Sequence, residues 1–337
     1  MKPLAFLAGL AVSAVAFASQ AQALPDTSKR IVLLVDEYKA IRNFPVILAD
    51  RLGYLNDGAL VTVMNIRDDI PTAQMLMDGR VDAVMAYYHH NIVNRAEGRN
   101  FEAIVALGLT PGAKVLVAHH ARDKYKSAAD LKGARIIAGG AGSSKTTLAN
   151  ALVMAGGLRI GDYTRIANES RDKIAAALKD GSADLVVAPT PDGSYYEAQG
   201  VATVFADLTT IEGTRKALGS LLPTSTIYMA SERVKSNPAI AQHLANAFVR
   251  TLKFIDTHTP EEILAVIPTE VSGKDRAAYL QALKEEIPMF KSDGRMPPAD
   301  AAREWQVLCE FNPKFKSMKV DETYDNSFVD EALKRYR

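Results

Sequence analysis

The sequence predicts an α/β fold built from two sheet-forming units. The segment Arg30-Ile-Val-Leu-Leu-Val35 is a continuous apolar run, which is typical of a strand buried on both faces of a parallel sheet. Segments with helical spacing alternate with further runs of this kind, and the alternation restarts after Leu109-Thr110-Pro111-Gly112. Strands that alternate with helices predict parallel pairing through right-handed crossovers.

The elements of the first unit follow from apolar spacing and from residues that start or stop helices. Pro45 lies in the first turn of its helix, where a missing N–H is tolerated, and Gly53 ends that helix. The predicted strands are 30–35, 60–66 and 81–85, and the predicted helices are 44–52 and 70–77. Two more apolar stretches follow, at 103–107 and 114–118.

In the second unit, strands 135–138, 163–166 and 183–188 alternate with helices 145–155 and 172–178. From Pro238 the chain is mostly helical, with helices 239–257, 260–267, 275–287 and 299–311. The motif Asp78-Gly-Arg-Val-Asp82 is echoed by Asp180-Gly-Ser-Ala-Asp184, and each copy predicts a helix-ending glycine before a buried strand. Chance similarity of loops explains this echo as well as a repeat does.

Composition excludes several classes of protein. The chain has 337 residues, 40 basic and 39 acidic side chains, 48% hydrophobic residues and one cysteine, Cys309. This length is enough for two domains, and the charge balance argues against non-specific binding of nucleic acid. One cysteine excludes an internal disulfide framework and a thiolate metal cluster.

The first 23 residues have the pattern of a secretory signal peptide. Lys2 precedes an apolar stretch from Leu4 to Ala18, and Ala21-Gln22-Ala23 fits the cleavage site. The alternative is a membrane anchor, but that needs about 20 apolar residues, and this stretch is shorter. We therefore expect export and cleavage after about Ala23, and hence a periplasmic protein with 39 side chains of each sign, because Lys2 is one of the 40 basic residues.

Candidate ligand-binding residues lie where strands end and helices begin. The loop Gly139 to Thr147 is the most informative, because glycines allow close approach and free N–H groups at a helix start attract anions. It nearly matches a phosphate-binding G-x-x-x-x-G-K-[ST] motif, except that Ser144 replaces a glycine. A nucleotide site, a plain helix cap and a carboxylate or sulfonate site are the three interpretations, and the last is favoured.

Other strand ends offer different chemistry. Tyr87-Tyr88-His89-His90 fits an aromatic wall of a ligand cleft or simply core packing. A metal site there is disfavoured, because neighbouring histidines on a strand point to opposite faces and no other ligand cluster accompanies them. Arg42 suits a carboxylate or sulfonate, whereas Asp192 suits an amine or a ring nitrogen. No hydrolase or metalloprotease motif is present to support an enzyme.

Several motifs occur in one order that resembles a known family. They are Arg51-Leu-Gly-Tyr-Leu55, Met77 to Ala83, Ala129-Asp-Leu-Lys-Gly133, Gly142-Ser143-Ser144 and Asp180 to Asp184. With the export signal, they resemble the periplasmic substrate-binding proteins of ABC importers, in the nitrate/sulfonate/taurine and thiamine-precursor (NMT1/THI5-like) group. The resemblance covers about residues 30 to 255.

The resemblance implies a two-lobed periplasmic-binding-protein type II fold, in which each lobe is a mainly parallel sheet flanked by helices and a hinge closes the lobes on a ligand. It implies a signal peptide at 1–23, a first lobe at 24–112, a second lobe at 113–225 and a return to the first lobe at 226–337. In the sulfonate-binding branch the Gly-Ser-Ser loop holds the acid group, which carries over to Gly142, Ser143, Ser144 and Thr146. Lys145 and the pair Gly139-Gly140 depart from a taurine binder, and the cysteine-rich run of the fungal pyrimidine-synthesising relatives is absent.

We therefore expect a periplasmic receptor that captures a small organic anion, a sulfonate or carboxylate, without turnover or cofactor, and delivers it to an inner-membrane ABC permease. The number of candidate aromatic residues favours a flat or aromatic ligand, and a monomer is expected. The alternatives are a receptor for a pyrimidine or thiamine precursor, in which Asp192 and Glu37 contact ring nitrogens, and a periplasmic enzyme. The expected ligand-binding residues are Tyr38, Arg42, Asn43, Phe44, Tyr87, Tyr88, His89, Gly142, Ser143, Ser144, Thr146, Thr190 and Asp192.

Overall fold

The computed structural model describes residues 30–36, 38–66, 72–140, 143–167, 169–290 and 292–336. The predicted signal peptide, Glu37 and Gly142 therefore lie outside the described residues. The strands are β1 (Arg30–Asp36), β2 (Leu60–Ile66), β3 (Ala83–Tyr87), β4 (Phe101–Ala106), β5 (Ala113–Ala118), β6 (Arg135–Ile137), β7 (Thr164–Ile166), β8 (Leu185–Pro189), β9 (Ala202–Asp207) and β10 (Ser225–Ala230). The helices are α1 (Phe44–Arg51), α2 (Thr72–Met77), α3 (His89–Ala96), α4 (Ser144–Ala155), α5 (Arg171–Asp180), α6 (Asp192–Ala198), α7 (Ile211–Leu218), α8 (Ser231–Ser236), α9 (Pro238–Thr257), α10 (Pro260–Val266), α11 (Thr269–Ser272), α12 (Arg276–Glu286), α13 (Pro298–Phe311) and α14 (Ser327–Arg335).

The strands form two five-stranded sheets, which confirms the α/β prediction. The first sheet has the order β2-β1-β3-β10-β4 and the second has the order β7-β6-β8-β5-β9. We call the first sheet with its helices the first lobe, and the second sheet with its helices the second lobe. In each lobe, three strands pair in parallel and one strand runs antiparallel to both of its neighbours. The sheets are therefore mixed, because β5 and β10 each enter directly from the other lobe.

Some strands are apolar along their whole length because hydrophobic cores pack on both faces of the sheet. Leu33 and Leu34, neighbours on β1, are both fully buried, yet they pack in different hydrophobic clusters. Successive side chains of a strand point to opposite faces, so each face of the first sheet has its own core. The long helix α9 contributes Leu244 and Phe248 to one of these cores.

The echoed motifs at 78–82 and 180–184 play the same part in the two sheets. The Asp82 carboxylate accepts the Val32 N–H of β1 at 2.9 Å, and the Asp184 carboxylate accepts the Arg135 N–H of β6 at 2.8 Å. Each aspartate also accepts hydrogen bonds from a guanidinium, that of Arg233 or of Arg135. In both lobes, the aspartate before the central strand therefore makes the same kinds of contact, with a backbone N–H and with an arginine.

Two chain segments, 107–112 and 219–224, cross between the lobes and contact each other. The Thr224 N–H donates to the Gly108 carbonyl at 2.9 Å, and the Thr224 hydroxyl donates to the Thr110 carbonyl at 2.7 Å. Gly112 has a φ of +62°, and a Cβ at this position would lie 2.7 Å from Met289 Sδ. Glycine suits this backbone conformation, and a side chain here would also force Met289 to move.

Some elements differ from the sequence predictions. His89 and His90 begin α3 instead of continuing a strand, so the argument that they point to opposite faces is wrong. Their rings lie side by side, with centroids 4.1 Å apart. Strands β9 and β10 were not predicted from the sequence. None of the helices in the described ranges combines the length and the apolar character that a membrane span requires.

Candidate functional site

A narrow cavity separates the two lobes where their central strands end. Tyr87, the last residue of β3, and Pro189, the last residue of β8, both line it. Its volume is about 20 Å³, which is room for about one water molecule. The remaining lining residues come from both lobes and from the crossing segments: His89, Pro111, Ala113, Ser144, Lys145, Thr147, Leu148, Leu222, Thr224 and Glu304.

The start of α4 forms the second-lobe wall of this cavity. Ser143 caps the helix, because its Oγ accepts the Thr146 N–H at 3.2 Å. The Thr146 hydroxyl donates to the Gly140 carbonyl at 2.7 Å and the Ser143 hydroxyl donates to the Ala138 carbonyl at 3.1 Å, so both side chains bond to the segment that precedes the helix. Ser144 and Lys145 line the cavity instead. The acid-binding role predicted for Ser143 and Thr146 remains a prediction.

Lys145 brings a positive charge to the cavity. Its side chain is partly buried, and burial lowers the pKa of the ammonium, whereas the nearby Asp192 carboxylate raises it. The free N–H groups and the dipole of the α4 N-terminus add to the positive potential at this wall. The arrangement favours a negatively charged group.

Tyr87 and His89 form the first-lobe wall. Their ring centroids are 6.1 Å apart, and His89 is 5% exposed. Burial and the neighbouring His90 hold the pKa of His89 well below its usual value, so its ring is neutral at pH 7. Burial raises the pKa of the Tyr87 hydroxyl, which is therefore a neutral donor. This wall supplies apolar surface and neutral polar atoms.

A second group of polar side chains adjoins Tyr87. Glu286 at the end of α12 is 2% exposed, and burial raises its pKa to about 8, although Thr190 and the Arg42 guanidinium oppose the shift. Arg42 and Glu286 also act on the pKa of Tyr87, in opposite directions. Thr190 shares a hydrogen bond with Glu286 and donates to the Gly112 carbonyl at 3.3 Å. Arg42, Tyr87, Thr190 and Glu286 therefore link the two lobes beside the cavity.

Two of the expected ligand-binding residues lie in the hydrophobic cores. Phe44 is fully buried and packs edge-on against Phe290, with ring centroids 5.0 Å apart. Tyr88 is also fully buried, and its hydroxyl lies 2.5 Å from Thr323 Oγ1. Neither ring lines the cavity.

Three further expected residues lie outside the cavity lining. The Tyr38 N–H donates to Asn65 Oδ1 at 2.8 Å, and its partly buried ring packs on the first-lobe core. Asn43 is 5% exposed and directly precedes α1. Asp192 begins α6 and forms an ion pair with Arg171. Asp192 therefore already has a cationic partner.

Glu286 and Glu304 were not predicted as site residues, although the sequence contains a signal for them. Glu286 lies three residues after Leu283, and Glu304 lies three residues after Ala301, so each occupies the buried stripe of its helix. An acidic residue at such a position is unusual, since its burial is costly. Oε2 of each of these two side chains is buried and has no hydrogen-bond partner among the described residues.

A wider groove of about 890 Å³ lies between α9 and α14. Three of its charged side chains are engaged with one another, because Arg295 forms ion pairs with Asp293 and Asp330. None of its lining residues belongs to the cavity between the lobes. Within the described part of the chain, no group of three or more His, Cys, Asp or Glu side chains could hold a metal ion.

A family model described as NMT1/THI5 like matches residues 41–263. A protein from Bordetella bronchiseptica RB50 has a similar structure, with 26% identity and a TM-score of 0.71 over 91% of this chain and 98% of that one. A putative periplasmic sulfonate-binding protein, SsuA from Methylobacillus flagellatus KT, has 16% identity and a TM-score of 0.67, with 93% and 96% covered. No curated protein matches the chain in sequence.

The desulfurization enzyme DSZB also has this fold, with 17% identity and a TM-score of 0.60 over 92% of this chain and 100% of that one. These similarities confirm the predicted periplasmic-binding-protein type II fold. They also show that the fold is shared by binding proteins and by an enzyme.

Proposed function

We propose that the chain, which belongs to the NMT1/THI5-like family, is the substrate-binding protein of an ABC importer and captures a small organic anion, a sulfonate or a carboxylate. The observation that carries this proposal is the cavity between the lobes, where the start of α4 and Lys145 face Tyr87 and His89. Positive potential at one wall and neutral aromatic surface at the other suit an acid group on a small organic body.

The mechanism is binding by closure. The cavity is too small for an organic ligand to enter as it stands, so the lobes must separate before a ligand is admitted. The segments 107–112 and 219–224 are the connections that would bend, and the proposed lobes are 24–112 with 226–337, and 113–225. Ser144 and Lys145 would hold the acid group, and Tyr87 would contact the body.

Delivery requires a membrane partner. We assign residues 1–23 as a cleaved signal peptide on the sequence pattern, which places the mature protein in the periplasm. The closed, ligand-bound protein would dock transiently on an ABC permease as a monomer. No nucleic acid or cofactor takes part in this mechanism.

The other interpretations have weaker support. In a pyrimidine receptor in which Asp192 contacts a ring nitrogen, the ligand would share a carboxylate that already forms an ion pair with Arg171. A periplasmic enzyme on this scaffold has a precedent in the fold of DSZB. In this chain the single cysteine, Cys309, is 5% exposed in a hydrophobic core and offers no accessible thiol nucleophile.

A thermal-shift panel tests the proposal, because a ligand that binds only the folded state raises the melting temperature. The panel contains ethanesulfonate, benzenesulfonate, benzoate, nitrate and uracil, and each mixture is analysed for products. We expect at least one organic anion to raise the melting temperature and to be recovered unchanged.

Lys145→Gln provides the site-specific test, with Lys179→Gln on the end of α5 as a matched control. We expect the first variant to weaken anion binding about tenfold and the second to leave it unchanged. A shift caused by uracil alone would refute the anion assignment, and formation of a product would show an enzyme.

A further inference from the structure

Glu304 brings an unpaired carboxyl group to the cavity. It lies in the middle of α13, is 3% exposed, and lines the cavity together with Ser144 and Lys145. Its Oε2 is buried and has no hydrogen-bond partner within the described ranges. A buried polar atom without a partner is costly, so its retention calls for a functional explanation.

The titratable groups that line the cavity with Glu304 do not hold it in the ionised form. His89 is neutral at pH 7, and Tyr87 is a neutral phenol. Lys145 contributes a positive charge to the same cavity, but Oε2 of Glu304 has no hydrogen-bond partner among the described residues. From α3, the Tyr88 hydroxyl is near enough for the Glu304 charge to act on its pKa, and that hydroxyl is bonded to Thr323.

Charged groups on the other elements packed against α13 are engaged or exposed. Arg95 of α3 forms an ion pair with Glu322, and Asp321 is exposed. Lys314 and Lys316, on the short helical turn that follows α13, are exposed to solvent. Burial therefore raises the pKa of Glu304 well above its usual value and favours the neutral carboxylic acid.

We propose that Glu304 is a specificity-determining residue that remains a carboxylic acid in the cleft and donates its O–H to an oxygen of the bound organic anion. This inference rests on the proposed function, because it takes the ligand to be an anion. An ionised Glu304 in this cavity would repel such a ligand, whereas the neutral acid adds a donor to the cavity that Ser144 and Lys145 also line.

The proposal predicts a particular pH dependence. Raising the pH ionises Glu304, which removes the donor and introduces repulsion, so the affinity for the anion falls. Loss of the Lys145 charge would also weaken binding at high pH. Variants of Glu304 separate the two causes, because Lys145 remains in all of them.

The experiment measures the dissociation constants of ethanesulfonate, benzenesulfonate and benzoate between pH 6 and pH 9. The proteins compared are the wild type, Glu304→Gln, Glu304→Met and the control Glu310→Gln on the exposed face of the same helix. An amide keeps a donor, so Glu304→Gln should bind within about threefold of the wild type at pH 7 and should lose less affinity towards pH 9. Glu304→Met should bind at least about tenfold more weakly at pH 7.

The outcomes distinguish this inference from the function on which it rests. If no anion binds the wild type, both fail. If an anion binds the wild type and Glu304→Met equally well, the inference fails and the proposed function stands. The inference also fails, and the proposed function stands, if the wild type and Glu304→Gln lose affinity equally as the pH rises.

A matched ligand pair tests the opposite role for Glu304. If the wild type binds taurine at least about tenfold more tightly than ethanesulfonate and Glu304→Met removes this preference, Glu304 acts as an acceptor for an amine, and the inference is wrong. An infrared difference spectrum between the wild type and Glu304→Gln should also show the carbonyl band of a protonated acid at pH 7. Absence of this band in a folded protein would overturn the inference.

Discussion

Glu286 and Glu304 are buried carboxyl groups near Tyr87, and Oε2 of each lacks a hydrogen-bond partner among the described residues. Their burial opposes ionisation and raises the pKa of each group above its usual value. Such groups reduce stability, and proteins retain them mainly at sites that bind something. At the scale of single residues, the buried carboxyl groups near Tyr87 therefore lower the stability of the folded protein.

Glu286→Gln tests the protonation of the first of these groups. The folded-state pKa of about 8 lies above the ordinary value of 4.5, so the native state binds more protons than the unfolded state between these limits. The free energy of unfolding therefore falls as the pH rises through this window, by at most about 1.4 kcal/mol per pH unit for this group. We expect Glu286→Gln to remove this contribution and to leave that of Glu304.

Urea unfolding at pH 5, 6.5 and 8 measures the change in stability for Glu286→Gln. Glu270→Gln, on the exposed part of α11, is the control. An unchanged decline in stability for Glu286→Gln would show that Glu286 is ionised in the folded protein.

Ser143 and Ser144 are neighbours with different expected roles. Ser143→Ala removes the cap of α4 and should lower the free energy of unfolding by about 1 kcal/mol. Ser144→Ala should change stability by less than about 0.5 kcal/mol but weaken binding of the organic anion found by the panel. Urea unfolding and calorimetric titration of both variants provide the measurements, and equal effects on stability would contradict this division.

The sequence predicted some of the residues that line the cavity because strand ends are recognisable from apolar runs. Tyr87, His89 and Ser144 line the cavity, and Arg42 and Thr190 lie beside it. The sequence did not show that Phe44 and Tyr88 lie in the cores. Whether a side chain at the end of a strand or the start of a helix faces the core depends on segments that are distant in sequence. Glu304 reaches the cavity only through packing of α13 against α4, which spacing within one helix does not reveal.

At the scale of elements, the two aspartates that precede β3 and β8 explain how each central strand is aligned. Asp82 and Asp184 accept hydrogen bonds from the backbone of the neighbouring parallel strand and from an arginine. Register in a parallel sheet is otherwise specified mainly by apolar packing, which a shift by two residues preserves. Polar contacts at the strand start exclude that shift.

Asp184→Asn should lower the free energy of unfolding by roughly 2 kcal/mol, because it weakens charge-assisted hydrogen bonds to Arg135. Although burial raises the pKa of Asp184, these bonds outweigh it and hold the pKa below its usual value, so their stabilisation is lost as the pH falls through that range. Urea unfolding at pH 7 and pH 4 measures both effects. Asp78→Asn, at an exposed position of the equivalent motif, should change stability little, and equal losses for the two variants would refute the assignment.

Strands with continuous apolar character were predicted closely, and β2 agrees at both ends. In contrast, β10 begins Ser225-Thr226, and its burial against β3 and β4 depends on contacts with segments more than a hundred residues away. Because α3 has a polar composition, the sequence did not reveal that a helix begins at the histidine pair. Local periodicity therefore identifies elements that are buried along their whole length, and it fails where distant pairing decides the structure.

At the scale of the whole molecule, the lobes are joined by contacts outside the crossing segments. The Ser194 hydroxyl of α6 donates to the Glu285 carboxylate of α12 at 2.6 Å, close to the bond shared by Thr190 and Glu286. Helix α13 also contributes Val307 to the second-lobe core. These contacts favour the closed arrangement and must be broken for the lobes to separate.

Glu285→Ala removes one contact that exists only when the lobes are closed. We expect the closed state to lose about 1 kcal/mol, and ligand affinity to fall about fivefold, because binding must then supply more of the free energy of closure. Small-angle scattering without ligand should also show a larger radius of gyration than for the wild type. Glu270→Ala is the control, and unchanged affinity with unchanged scattering would contradict the prediction.

The strand order has a consequence for biosynthesis. β10 lies between β3 and β4, and it is the one strand that pairs with β4 in the described sheet, yet it follows every strand of the second sheet in the chain. A chain that emerges from the ribosome with its N-terminus first exposes β4 as an unpaired edge until residue 230 has been made. The second sheet spans 113–207 without interruption and can assemble earlier. The first sheet is thus begun first and completed last, and an unfinished chain needs protection from aggregation at that edge.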